Sequence, residues 1–324
     1  MNERLRRLGL TAARFALSGA LLWLLLSRTD TAALMARAAA TDPGWLTAAF
    51  ALTLVQVVLI SWRWAVIMAG LKASIGTARA LRINLAAFFL GQALPTSIAG
   101  DAWRVWKIRS LGFDIGTGLR GVLIDRTTAM IGLVLVVLPT APLLLAHMPD
   151  PAMRWSVAAG LGIGVALLAL ALSADRLSGR WASGRLSGVA EFGRAVRGLL
   201  SRPVTAIPII GVSVLVHLLA GVTMWLIAGS LELSVGLVDC LVLMPPIVLV
   251  AGMPLSIAGW GLREGAVVAV FALVGVPMDG ALLMSVLLGL LLLLVSLPGG
   301  LVLTFSESGA VEAAVRPPHA GFDR

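Results

Sequence analysis

The sequence predicts an all-α membrane protein of about six full transmembrane helices and two re-entrant broken hairpins, arranged as an inverted-topology repeat. Composition sets the class: 59% of the 324 residues are hydrophobic, only 13% are charged, and mean hydropathy is +0.98. Several apolar runs approach the ~20 residues needed to cross a bilayer core. The repeat comes from a hexapeptide. Pro95-Thr96-Ser97-Ile98-Ala99-Gly100 returns 159 residues later as Pro254-Leu255-Ser256-Ile257-Ala258-Gly259. Each copy carries an arginine nine residues after its proline, Arg104 and Arg263. Both copies interrupt apolar runs, and broken segments at matching places in two halves mark a transporter's binding site.

A net charge of +9 and a pI near 11.5 raise the question of nucleic acid. A nucleic-acid binder gathers its basic residues on one solvated face, whereas here they fall in alternate loops, the pattern of membrane orientation and of attraction to anionic headgroups. No nucleic-acid partner is expected. Cys240 is the only cysteine, and His147, His217 and His319 show no metal-ligand spacing, so neither a metal nor a cofactor is expected.

Taken in order, Arg4, Arg6, Arg7 and Arg14 lead into an apolar run at 9–26, which places the N-terminus in the cytoplasm. Residues 44–62 return inward to Arg63, Lys72, Arg79 and Arg82. The first hairpin, about 83–115, breaks at Pro95 and comes back through Arg104, Lys107 and Arg109. Spans follow at 119–138, ending at Pro139 and Pro142, and at 155–174. The arginine-rich loop 175–205 is the strongest cytoplasmic signal. Its Trp181, Leu186, Val189, Phe192 and Val196 fit an apolar stripe on the membrane surface, and its Gly and Ser content fits a solvated basic linker equally well. After a span at 206–229, the second hairpin, about 238–276, breaks at Pro245-Pro246 and again at Pro254. Residues 280–304 cross to a cytoplasmic C-terminus. This gives a first repeat over 1–150, a second over 151–305 and a disordered tail at 306–324. Three full spans per half, an odd number, turn the second half upside down. Tryptophans agree with this: Trp45, Trp155 and Trp225 fall at outer ends, and Trp62, Trp64, Trp103 and Trp106 at inner ones.

A helix starting inside the bilayer presents unpaired N–H groups and a positive dipole end, which suits an anion. Ser97, Gly100 and Asp101 open one such helix, and Ser256, Gly259 and Glu264 mark the other. Arginine binds phosphate bidentately and keeps its charge, so Arg104 and Arg263 are expected to form a phosphate-binding pair, oriented or counterbalanced by Asp101 and Glu264; the alternative is that Arg104 pairs with Asp101 and Arg263 with a distant acid, both only fixing the hairpins. Asp125 lies within an apolar segment and is the better candidate to face the central cavity, opposite Arg104. Arg126 is expected to snorkel to the interface. His217 is a candidate proton relay, with a satisfied buried histidine as the commoner case.

Gly91-Gln92-Ala93-Leu94-Pro95-Thr96-Ser97-Ile98-Ala99-Gly100-Asp101, with Arg104, resembles the Leu-Pro-x-x-x-x-Gly-Asp-x-x-Arg signature of the lysylphosphatidylglycerol synthase/flippase transmembrane family. Gly259-Trp260-Gly261-Leu262-Arg263-Glu264 resembles its Gly-x-Gly-x-Arg-Glu element, and the likeness extends over roughly residues 5–305. Many relatives carry a more glycine-rich stretch in place of Thr96-Ser97-Ile98. The resemblance implies an integral protein of the bacterial inner membrane that moves a phospholipid, polyisoprenoid or hopanoid lipid between leaflets. The short polar end after the last span argues against a soluble aminoacyl-transfer domain. The favoured expectation is therefore a lipid translocase and not an enzyme. Two alternatives are a membrane-embedded glycosyl- or phosphotransferase acting on a polyisoprenyl phosphate and an accessory subunit of a lipid-modifying synthase. A homo-oligomer or a synthase partner is compatible with each.

Overall fold

In the computed structural model the described residues are 16–94, 98–173, 187–252 and 258–315. They form helices joined by short links, and no strand occurs among them. In chain order the helices are α1 (Ala16–Ser27), α2 (Thr31–Ala39), α3 (Pro43–Gly70), α4 (Thr77–Ala93), α5 (Ala99–Ser110), α6 (Ile115–Ala146), α7 (Pro151–Leu172), α8 (Ser187–Leu200), α9 (Pro203–Ser230), α10 (Leu237–Ala251), α11 (Leu262–Phe271) and α12 (Met278–Val315). Five are long and apolar enough to cross a membrane: α3, α6, α7, α9 and α12. They answer to five of the six expected spans. Of the first run, only α1 lies within the described residues.

The breaks fall at the two hexapeptides. Seventeen-residue α4 is followed by twelve-residue α5, and fifteen-residue α10 by ten-residue α11. α5, α10 and α11 are too short to cross a hydrocarbon core singly, and α4 is only at the lower limit. Ser97 and Ser256, with both proline breaks, lie outside the described residues.

The same order of elements occurs twice. A 28-residue helix (α3, α9) leads through a link to the broken pair, then through a second link to a long helix. The first links, Gly70-Leu71-Lys72-Ala73-Ser74-Ile75-Gly76 and Ser230-Leu231-Glu232-Leu233-Ser234-Val235-Gly236, each turn on a non-glycine residue in the left-handed region, Lys72 at φ 62° and Glu232 at φ 54°. Few residues adopt that region without a steric cost, so its recurrence reflects shared geometry. The second links turn on Gly112 and Gly275, at φ 90° and 78°. α3 packs along α9, and the first helix of each broken pair rests on the long helix of the other half, α4 on α12 and α10 on α6.

Several expected boundaries move. α3 continues past 62 to Gly70, because Trp64-Ala65-Val66-Ile67-Met68 extends the apolar run and Arg63 finds a carboxylate inside the protein. α4 begins at Thr77, ahead of the expected 83. Pro139 and Pro142 lie inside α6, and Pro245-Pro246 inside α10, without ending either helix. In an apolar environment, continuing the helix keeps the remaining backbone groups paired where no water is at hand. α12 runs to Val315, beyond the boundary placed at 305, and the rest of the tail is outside the described residues. The stripe expected on the membrane surface instead packs inward where it is described. Val196 of α8 is buried and Phe192 packs beside it, against Ile67, Ile124 and Ile209. Trp181 and Leu186 are outside the described residues.

Glycines set the closest helix contacts. A Cβ on Gly299 of α12 would strike the Leu85 carbonyl of α4, and one on Gly132 of α6 would strike the Ser213 backbone of α9. Neither neighbour is a side chain that can swing away. Gly299→Val is expected to force α4 and α12 apart and to cost ~1–3 kcal/mol by overpacking, read as a lower thermal midpoint of the purified protein. An unchanged midpoint would remove this contact from the account.

Candidate functional site

Four helices bring their polar side chains to one buried cluster. Arg63 of α3, Arg104 of α5 and Asp125 of α6 are 4%, 6% and 4% exposed, respectively, and Ser213 of α9 is fully buried. Asp125 lies between the two guanidiniums. Its Oδ1 accepts from Arg63 Nε at 3.0 Å and pairs with Nη2 at 2.9 Å, while its Oδ2 accepts from Arg104 Nη2 at 2.9 Å. Arg63 Nη1 donates to Ser213 Oγ at 3.0 Å. The fully buried Trp64 stacks on Arg104, with the guanidinium carbon 4.4 Å from the ring centroid. Toward the surface, Asp101 Oδ1 is 3.6 Å from Arg104 Nη1, and Asp101 Oδ2 pairs with the exposed Arg126 at 3.0 Å.

Taken together, the cluster carries excess positive charge. Three guanidiniums (Arg63, Arg104, Arg126) face two carboxylates (Asp101, Asp125), which leaves one positive charge uncompensated among the described residues. Two of its N–H groups, Arg104 Nε and Trp64 Nε1, are buried without an acceptor among the described residues. Buried donors are ordinarily satisfied, and a buried unpaired donor costs on the order of 1–3 kcal/mol. Both the charge and the donors suit an anionic acceptor.

The second break is built differently. Glu264 is fully buried and binds Arg263 at 2.6 Å, and its Oε1 also accepts from Ser285 Oγ at 3.0 Å. Its Oε2 accepts from the Gly261 N–H at 2.6 Å and so closes the first turn of α11. Arg263 Nε donates to Ser285 Oγ at 3.2 Å, and Trp260 covers the guanidinium at 4.7 Å. One arginine meets one glutamate, so the charge balances. Gly261 and Gly259, at φ 87° and 83°, supply the left-handed backbone that this tight entry requires.

Residues 11–300 match the family of the lysylphosphatidylglycerol synthase TM region. The chain belongs to this family. No curated protein and no solved structure matches it. Membership brings a multi-pass membrane protein with a membrane-lipid-related function.

In this member of the lysylphosphatidylglycerol synthase TM family, Asp125 lies opposite Arg104 as expected, and the structure adds Arg63 to the pair. Arg104 and Arg263 belong to separate clusters with no partner in common, and no contact joins them among the described residues. Gly100 is buried where α5 meets α4, and a Cβ there would strike the Ala87 carbonyl. Arg126 reaches the surface, 64% exposed, but ends on Asp101. His217 meets the Ala129 carbonyl at 3.0 Å, the commoner arrangement for a buried histidine. Sequence reasoning missed Arg63, which it had placed at the end of a span. The signal was present: six apolar residues, Trp64 through Ala69, follow Arg63 before Gly70, which puts it nearly two turns inside its helix. Trp64, assigned to the interface, is in the core for the same reason.

Proposed function

We propose that this protein is a lipid translocase of the bacterial inner membrane, with both termini cytoplasmic, that moves a phosphate-bearing lipid between leaflets. The observation that carries this reading is the buried, net-positive cluster of Arg63, Asp125 and Arg104 beside the break between α4 and α5, with donors left over. Ionisable groups at membrane depth are costly, and in membrane proteins they mark substrate paths. The recurrence of helix order, links and buried arginines supports an inverted repeat. In that arrangement the two breaks meet the headgroup from opposite faces.

Since Arg104 and Arg263 sit in separate clusters, the lipid phosphate engages them in turn. Arg104 takes the phosphate on its unpaired edge, and Asp125 and Asp101 hold the guanidinium in place. Arg263 is shielded by Glu264 until the second break rearranges. The acyl chains stay in the bilayer throughout. Transport then draws on a gradient, a partner or the supply of lipid.

The test is reconstitution of the purified protein in liposomes with a labelled phospholipid. Leaflet transfer without turnover is the expected result. Chemical turnover of a polyisoprenyl phosphate would favour a transferase, and the absence of both would favour an accessory subunit. Orientation is checked separately. A reporter after residue 190 or at the C-terminus is expected to read cytoplasmic and one near 232 external; an external reading for the 175–205 loop would end the inverted-repeat reading.

A further inference from the structure

A second basic site lies on the other side of α5. On α4, Arg79, Arg82 and Ile83 share a face, and on α5 so do Trp103 and Lys107, with Leu111 at its C-terminal cap, by the three- and four-residue spacing that aligns side chains along a helix. These faces converge, with Val302 of α12, around a pocket of about 240 Å³. Its charged lining is Arg79, Arg82 and Lys107, with no carboxylate, and none of the three cations has an ion pair among the described residues.

Three further features raise the positive potential there or fix its donors. Arg79 and Arg82 sit in the first turns of α4, next to the positive end of the helix dipole, where cations are disfavoured. The N-cap, Gly76, supplies no side-chain acceptor to that helix end. Lys107 is held over two indoles, 5.8 Å from the Trp103 ring and 5.7 Å from Trp106, whose rings lie 5.0 Å apart. Trp103 Nε1 is itself buried with no acceptor among the described residues. Like charges and an unused donor are stable together when an anion joins them. Phosphate chemistry fits, and the apolar walls, Ile83, Leu111 and Val302, with Trp106 half exposed nearby, fit an amphiphile better than a free ion.

We propose that this pocket binds the headgroup phosphate of an anionic phospholipid at the membrane surface, separately from the cluster around Arg104. Basic pockets between membrane helices recognise such headgroups by charge. Trp103 faces this site while Arg104, the next residue, turns inward to Asp125, so one helix serves both.

The experiment is lipid retention by the purified full-length protein, read by native mass spectrometry after exchange with phosphatidylglycerol or phosphatidylcholine. Wild type is expected to retain phosphatidylglycerol preferentially. Arg79→Gln, Arg82→Gln and Lys107→Gln are each expected to lower that preference about fivefold, and Trp103→Phe to lower it without changing charge. Arg79→Lys with Arg82→Lys keeps the charge and is expected to keep the preference. Undiminished preference in the Gln variants would overturn the site, and displacement by equimolar inorganic phosphate would overturn its assignment to lipid. Leaflet transfer measured on the same variants keeps the two proposals distinct, because retention is read without transport.

Discussion

Asp125→Ala is expected to destabilise the protein by ~3–5 kcal/mol, the cost of breaking a buried ion pair from one side. Among the described residues, Asp125 is the only carboxylate in contact with Arg63, and it shares Arg104 with the more distant Asp101. Its loss leaves two guanidiniums buried at 4% and 6% exposure with Ser213 and the partly buried Asp101 as their remaining polar partners among the described residues. Asp125→Asn keeps an acceptor oxygen but not the charge and is expected to fall between wild type and Ala. The readout is the thermal midpoint in detergent together with abundance in the membrane. A wild-type midpoint for Asp125→Ala would mean that the cluster is not held by this residue.

Arg104→Lys is expected to cut leaflet transfer on the order of tenfold or more while leaving abundance near wild type. Lysine keeps the charge and so can still pair with Asp125. What it loses is the planar fork, the stack on Trp64 and the Nε donor. A hydrogen bond to a charged group contributes about 1.5–3 kcal/mol, enough for a tenfold effect if one such bond to phosphate is lost at the rate-limiting step. A purely structural Arg104 predicts the opposite pattern, with Lys restoring both abundance and transfer. Measuring both quantities on one preparation separates the two.

The membrane class and five of the spans were legible because apolar length is a local property of the chain, and so were the two breaks, because each repeats a motif. Helix ends were less so. Pro139, Pro142 and Pro245-Pro246 read as stops in a soluble protein, but inside an apolar bundle the helix continues through them. Arg63 was misplaced because a charge in an apolar run is ordinarily taken as a span's end. Its carboxylate is 62 residues away in sequence, on another helix. The link pairs with Lys72 and Glu232 also went unread, since only backbone angles reveal that the two turns are alike. Glu264 was legible as a partner of Arg263, its neighbour in sequence. Its closure of the first turn of α11 emerged only from the fold.

The most direct measurement compares leaflet transfer of two labelled lipids, one with a phosphate headgroup and one without, by wild type and Arg104→Lys in the same liposomes. If the Arg63–Asp125–Arg104 cluster receives the headgroup, wild type moves the phosphate-bearing lipid faster, and Arg104→Lys loses that advantage while its transfer of the phosphate-free lipid is unchanged. Equal rates for both lipids in wild type, or an advantage that survives in Arg104→Lys, would contradict the cluster's role in binding phosphate.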